Sequence, residues 1–340
     1  MTGNGASTEA YLDSIQLSAL EQAFREWAEA SPRQDVSLSR RRILLLFLLI
    51  RYTGARLNEV LSLSPFKDID TKECCVHFQS AEGNGATRDV RISKSLAGEL
   101  SCALSDTPFM EAIGYSFDVD PAFVRRKFYE RAEELGIDKR QGSPEMIRKA
   151  RAVELMHGNL PLPAVQLMLG QSVVNQAASH APFSEPELHE VTRLYMDRES
   201  DRRTSARNAF YGKVTSIKKG DIQARVDLVT VDNHLVTTVI TLSSLDRLCL
   251  TPGKLVTAEV KAPYVILQHG SNSSSSADNV FEGIVSRITT GKISTEYIVR
   301  ISEAAGLCSV VSSDSAEQLG LSIGDSVFAL FNCYAVVLHI

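Results

Sequence analysis

The feature that most constrains the fold of this 340-residue chain is a repeat. Sliding the C-terminal part on itself by 71 residues, without a gap, pairs Ser205 with Ser276, Asn208 with Asn279, Gly212 with Gly283 and Val214 with Val285. The same offset pairs Gly220 with Gly291, Leu248 with Leu319, Gly253 with Gly324 and Val265 with Val336. Self-similarity at a fixed period means two copies of one supersecondary unit. Segments such as GKVTSIKKGDIQARVDLVTV and LVTTVITL are short, rich in β-branched residues and punctuated by Gly, Asn or Asp, the pattern of a small barrel. Between the copies, QHGSNSSSS has the composition of a flexible linker.

Up to about Arg203 the texture is helical. Apolar residues recur at three-to-four spacing over Ser14–Ala30, and a second helix is predicted from a Ser37 cap through the apolar run Ile43–Ile50 to Gly54. Further helices are predicted over Pro121–Leu135, Pro144–His157, Leu162–Leu169 and Glu185–Arg198. CCVHF (Cys74–Phe78) and RDVRI (Arg88–Ile92), separated by the turn-rich QSAEGNGAT, read as a β-hairpin. The expectation is thus a multidomain chain: a mainly α N-terminal domain with a small β-hairpin or sheet, then two small all-β barrels. Its expected boundaries are 1–36 for an N-terminal helix, 37–200 for the helical domain, and 204–268 and 276–340 for the β-modules.

A formal charge of −5 gives no global sign of nucleic-acid binding, so any such role rests on local clusters. Arg40, Arg41 and Arg42 form one, and a second runs from Arg125 to Arg151 through Arg148 and Lys149. Six cysteines show neither C-x-x-C pairing nor histidines at zinc-finger spacing, which leaves a metal knuckle and a disulfide framework without support. The run Ile43–Ile50 is far short of the roughly 20 apolar residues that span a bilayer, and MTGNGASTEAYL lacks a signal pattern. A cytoplasmic protein without a membrane partner is expected.

In order and type, SARN, G-x-V-x-x-I-x-x-G, I-T-x-x-S and K-A-P resemble the Mop fold, the molybdate- and tungstate-binding module also called a TOBE domain, which implies OB-like barrels. A tetrahedral dianion needs convergent N–H groups, hydroxyls and one or two cations. The resemblance places the anion pocket on Ser205, Ala206, Arg207, Asn208, Thr241, Ser244, Lys261 and Ala262 of the first copy. The second copy has Asp278 and Asn332 where the first has Arg207 and Lys261, so its role is to complete the first pocket, to scaffold it, or to form dimer core.

The stretch TGARLNEV, after an apolar helix and before the hairpin, resembles the arginine box of the tyrosine recombinase (phage integrase) catalytic domain over roughly Ser37–His180. Arg56 fills the first arginine position and Arg148 the second. The companion histidine positions hold Glu145 and Gln171, the hairpin turn EGNGATR has no lysine, and the nucleophile position holds His180. Tyr195 is the next tyrosine. Without nucleophile or general acid, phosphoryl transfer has no route to a covalent intermediate, while arginines that grip phosphate still support DNA binding. The resemblance therefore implies a non-enzymatic DNA-binding domain using Arg56, Arg88, Arg148, Lys149 and Arg40–Arg42. A purely structural role, with Arg56 paired to Glu59 or Glu145, is the alternative. Taken together, the resemblances imply a molybdate- or tungstate-responsive transcription regulator, a homodimer through its Mop modules that binds a double-stranded operator of oxyanion-uptake genes. The rival readings are an active recombinase and an oxyanion storage protein.

Overall fold

The structure is a computed structural model describing residues 12–30, 33–79, 87–114, 116–117, 119–171, 183–201, 206–270, 275–302 and 305–340. Two compact units emerge, Met1–Glu154 with Gln166–Ser172, and Leu155–Val165 with Val173–Ile340.

In the first unit, α1 (Ser14–Glu29) starts at a capping box in which Asp13 Oδ1 accepts from the Gln16 N–H at 2.7 Å and Gln16 answers the Asp13 N–H at 3.0 Å. Its Leu17, Leu20, Phe24 and Ala28 recur at helical spacing and are buried. Helix α2 (Gln34–Thr53) begins three residues before the predicted Ser37 cap, with Arg33 at the N-cap making no side-chain cap bond. Asp35 in the first turn supplies the negative charge that a helix start favours, so Ser37 lies inside the helix. Ile43 and Leu45–Ile50 are all buried, as in a central helix covered on every side, and Phe24 stacks on Phe47 with ring centroids 4.3 Å apart. The helix stops at Gly54, where φ is +66° and an added Cβ would lie 2.4 Å from Leu169 Cδ2; both conformation and space demand glycine.

Short helices α3 (Leu57–Leu61) and α4 (Pro65–Asp68) lead into β1 (Ile69–Asp70), β2 (Cys75–Phe78) and β3 (Arg88–Arg91). The hairpin pairs antiparallel as predicted, Cys75 opposite Arg91 and His77 opposite Asp89, and β1 adds a third strand through Ile69 and Val76. Two helices with no sequence-based counterpart follow, α5 (Lys94–Ser105), capped by Ser93, and α6 (Thr107–Ile113). Then come α7 (Pro121–Glu134), α8 (Pro144–His157) and α9 (Leu162–Leu169), at or within a residue of prediction, and α10 (Glu185–Asp201), three residues longer. The division between the units falls within α8 and α9.

The second unit holds α10 and the repeat. The first copy forms β4 (Asn208–Lys219), β5 (Gln223–Thr230), β6 (Leu235–Thr241), α11 (Leu242–Arg247), β7 (Leu255–Val260) and β8 (Ile266–His269). The second forms β9 (Asn279–Thr290), β10 (Ser294–Arg300), β11 (Gly306–Ser312), α12 (Ser313–Leu319), β12 (Ser326–Phe331) and β13 (Val336–His339). The copies exchange their last strands. One sheet runs β13-β7-β4-β5-β6 and the other β11-β10-β9-β12-β8, so β8 pairs with β12 (Ile266 opposite Leu330) and β13 with β7 (Val336 opposite Val260). A short 3-10 turn, Ala262–Tyr264 or Cys333–Ala335, directs each strand away from its own copy.

Each sheet curls until its edge strands approach, β6 near β13 and β11 near β8, as in a partly open barrel. A hydrophobic cluster crosses both copies, with Phe281 stacked on Phe210 and on Phe331 at centroid separations of 5.5 Å. Neither barrel has an independent core, because each is finished by the other's strand. Among the described residues, no helix is long and apolar enough to cross a membrane.

Candidate oxyanion and nucleic-acid sites

Ser205 lies outside the described residues. Ala206, next to it, is buried and its carbonyl accepts from Arg198 Nη2 at 2.8 Å. The Arg207 side chain, 58% exposed, is ion-paired with Glu296 on β10, whose other carboxylate oxygen lies 3.7 Å from Arg287 Nη2. Asn208 is fully buried: its Nδ2 donates to the Cys308 carbonyl at 2.9 Å and its Oδ1 accepts the Cys308 N–H at 2.7 Å. That side chain, expected from the sequence to bind the oxyanion, has both polar atoms engaged in clamping the backbone of β11. Lys261 is exposed immediately before the 3-10 turn, and Ala262 is buried. Val265, at the end of that turn, accepts from Ser309 Oγ at 2.6 Å. Residues 206–208 and the K-A-P segment of the first copy therefore lie against β10 and β11 of the second.

The arrangement is reciprocal. Asn279 exchanges the corresponding pair of bonds with Thr237, at 2.7 and 2.9 Å, and Thr238 Oγ1 donates to the Val336 carbonyl at 3.2 Å. Thr241 and Ser244 continue from this strand. Thr241 Oγ1 caps α11 by accepting the Ser244 N–H at 3.1 Å and lies 3.0 Å from Ser244 Oγ. Their neighbours thus belong to the Asp278–Asn332 side. There Asp278 accepts the Cys333 N–H at 3.0 Å, a bond that holds its carboxyl below the usual range, and Asn332 accepts from the Tyr334 N–H at 2.9 Å. The hydroxyl turn next to the Lys261–Ala262 segment is Ser312 and Ser315, which cap α12 as Thr241 and Ser244 cap α11. A cleft of about 450 Å³ joins it to Pro263, Val265 and Leu267. Ser312 and Ser315 were absent from the sequence-based list, although the offset of 71 maps Thr241 and Ser244 directly onto them.

In the helical unit, three predicted arginines come together. Arg56 stands exposed at the N-cap of α3, and its backbone N–H donates to Glu59 at 2.6 Å. The same Glu59 oxygen accepts Arg88 Nη2 at 2.9 Å, while Arg88 Nη1 reaches the Met168 carbonyl at 3.0 Å and the guanidinium sits over Phe78, 4.6 Å from the ring centroid. Arg148 Nη2 donates to the Leu169 carbonyl at 2.9 Å. Burial lowers the pKa of both Arg88 and Arg148; the nearby guanidinium groups push the same way and Glu59 opposes them. Three guanidiniums against the carboxylates of Glu59 and Glu145 leave a net positive pocket in which desolvation has weakened the stabilisation of charge, so an anion there is favoured. Among the described residues, the buried Nε atoms of Arg88 and Arg148 have no hydrogen-bond partner.

The other predicted DNA contacts have other partners. Arg40 donates to the Trp27 carbonyl at 2.8 Å over the Trp27 ring, Arg41 pairs with Asp106 at 2.5 Å, and Arg42 donates to the Ala112 carbonyl. This triplet ties α2 to its neighbours. Lys149 is exposed 3.4 Å from Glu145. His180 and most of the hairpin turn lie outside the described residues. Tyr195 is 5% exposed, and a Cβ on Gly158 would come within 2.3 Å of its hydroxyl, so it is packed in the interior of the β-rich unit.

Comparison with known proteins matches the TOBE domain family to residues 204–267 and 275–338. The chain carries two TOBE domains. Over 136 residues, 40% of this chain and 52% of the relative, the chain is 36% identical to the transcriptional regulator ModE of Yersinia pestis. Over 137 residues, 40% of this chain and 52% of the relative, it is 37% identical to the molybdenum-pterin-binding protein MopA of Rhodobacter capsulatus. The chain spans about half the length of these curated relatives. Among solved structures, a XerH site-specific recombinase bound to its difH substrate aligns over 54% of each chain with 18% identity and a TM-score of 0.41. The cationic residues Arg207 and Lys261 thus fall within the first TOBE domain and Ser312 and Ser315 within the second, and the strand exchange brings the segment that follows Lys261 beside the Ser312–Ser315 turn.

Proposed function

We propose that the chain is a cytoplasmic DNA-binding transcription regulator whose affinity for an operator of oxyanion-uptake genes responds to molybdate or tungstate. The observation that carries this reading is the cleft that joins a hydroxyl-bearing helix turn of the second TOBE domain, Ser312 and Ser315, to Pro263, Val265 and Leu267 of the first, in the segment that begins with Lys261. Glu296 now satisfies the Arg207 guanidinium, and a dianion competes for it. Thr241 and Ser244 face the acidic side within the chain, so they reach the Arg207 pocket from a second copy. The exposed Tyr264, Ile266, Tyr334 and Val337 on the exchanged segments support a homodimer through this face. The DNA grip is assigned to Arg56, Arg88 and Arg148, and the tight packing of Tyr195 favours a domain that holds DNA without cleaving it.

Calorimetric titration of the full chain with both oxyanions tests this reading. Loss of one charge-assisted donor costs about 1.5–3 kcal/mol, roughly 10- to 100-fold in affinity. R207A and K261A are each expected to weaken binding by that factor. S312A/S315A reports on a pocket within one chain and T241A/S244A on a pocket shared between two. Absence of binding to either oxyanion would refute the reading.

A further inference from the structure

The β2–β3 hairpin carries a cluster that neither site uses. Cys75 and His77, two residues apart, share a face of β2, and Asp89 of β3 stands directly opposite His77. One ligand-type atom from each, the Cys75 Sγ, a His77 ring nitrogen and an Asp89 carboxylate oxygen, lie within 4.8 Å of one another. His77 Nδ1 and Asp89 Oδ1 are already 2.7 Å apart in a hydrogen bond. Cys75 is buried, whereas the His77 and Asp89 side chains are 43% and 59% exposed, so the thiol forms the floor of a site open to solvent.

We propose that Cys75, His77 and Asp89 form a binding site for a divalent cation of the zinc class. Tetrahedral bonds of about 2.0–2.3 Å set ligand atoms roughly 3.3–3.8 Å apart, a spacing these side chains reach by small rotations on a fixed hairpin. One sulfur, one nitrogen and one oxygen suit a borderline ion rather than magnesium or calcium, which prefer oxygen alone. Thiolate and carboxylate together balance the two positive charges, the thiol proton passes to solvent, the His77 imidazole stays neutral with its one proton on the ring nitrogen that does not bind the ion, and water takes the fourth position. Two charged groups flank the site. Arg91, opposite Cys75, is held by the Glu73 carbonyl at 2.7 Å, and Asp70, across β1, accepts the N–H groups of Lys72 and Glu73 at 2.9 Å. Arg88 precedes Asp89 on β3, so an ion here steadies the strand that presents Arg88 to Arg56 and Arg148. The site itself does not depend on the DNA-binding reading.

The full chain, freed of metal by a chelator, is titrated with cobalt(II) as a spectroscopic probe and then with zinc. The expected result is one equivalent of cobalt bound with a thiolate-to-cobalt charge-transfer band, displaced by zinc. C75S abolishes the band, C74S preserves it, and H77A and D89N, changes at exposed positions that leave the fold intact by circular dichroism, each weaken binding at least tenfold. Absence of the band at stoichiometric cobalt, its persistence in C75S, or unchanged affinity in H77A and D89N overturns the proposal.

Discussion

Replacing Asn208 with alanine removes both bonds that hold the β11 backbone to the first TOBE domain, 2.9 Å to the Cys308 carbonyl and 2.7 Å from its N–H. Asn208 is 0% and Cys308 5% exposed, so the two peptide groups lose their partners where water has little access. A buried polar group left unsatisfied costs about 1–3 kcal/mol, which puts the loss at about 2–6 kcal/mol for the pair. Urea unfolding of the full chain followed by circular dichroism reads it. Trp27, the single tryptophan, reports the helical unit by fluorescence and separates its transition from that of the β-rich unit. N279A removes the symmetry-related bonds to Thr237 and is expected to cost a similar amount. A loss below about 1 kcal/mol in both variants would refute the view that these asparagines lock the exchanged domains.

Other outcomes follow from the same structure. E59Q leaves Arg88, Arg56 and Arg148 without their shared carboxylate and is expected to lower the stability of the helical unit by about 2 kcal/mol, partly restored by sulfate, in Trp27-monitored urea unfolding. Each of R56A and R148A should reduce the slope of log affinity against log salt for DNA by about 1, read by fluorescence anisotropy over a salt series. His234 is half-buried, and that burial lowers its pKa while Asp232 pulls it back up. The unfolded chain therefore binds a proton first, so this contribution to stability is complete above about pH 6.5 and is lost as the pH falls through the lower folded value. H234Q should flatten that limb of a pH series of melting temperatures.

Much of this architecture was legible in residue order because its signals are local and periodic. The offset of 71 exposed the duplicated module, and the apolar spacing in Ser14–Glu29 and Pro144–His157 marked those helices almost to the residue. What escaped depends on contacts distant in sequence. Since the two copies end alike, nothing in Ile266–His269 or Val336–His339 tells which sheet each joins, and the placement of Ser312 and Ser315 beside Pro263 follows only from that exchange. The motif SARN likewise gave Arg207 and Asn208 one role, whereas the strand direction exposes the first and buries the second. Arg40–Arg42 read as a basic patch because a run of charge carries no information about Trp27, Asp106 and Ala112, its eventual partners. The Cys75–His77–Asp89 cluster was missed for a similar reason: its third member comes from the opposite strand, so no spacing within one segment reveals it.

The most direct test of the central claim is the affinity of the full chain for the proposed operator DNA, measured at fixed ionic strength across a molybdate and a tungstate titration, with the converse titration of oxyanion in the presence of that DNA. If the TOBE pair regulates DNA binding, one oxyanion shifts operator affinity by about 5- to 150-fold, and DNA shifts oxyanion affinity by the same factor, as linkage requires. R207A should remove the shift while leaving oxyanion-free DNA binding intact. Operator affinity that stays constant while the chain demonstrably binds oxyanion would contradict the account.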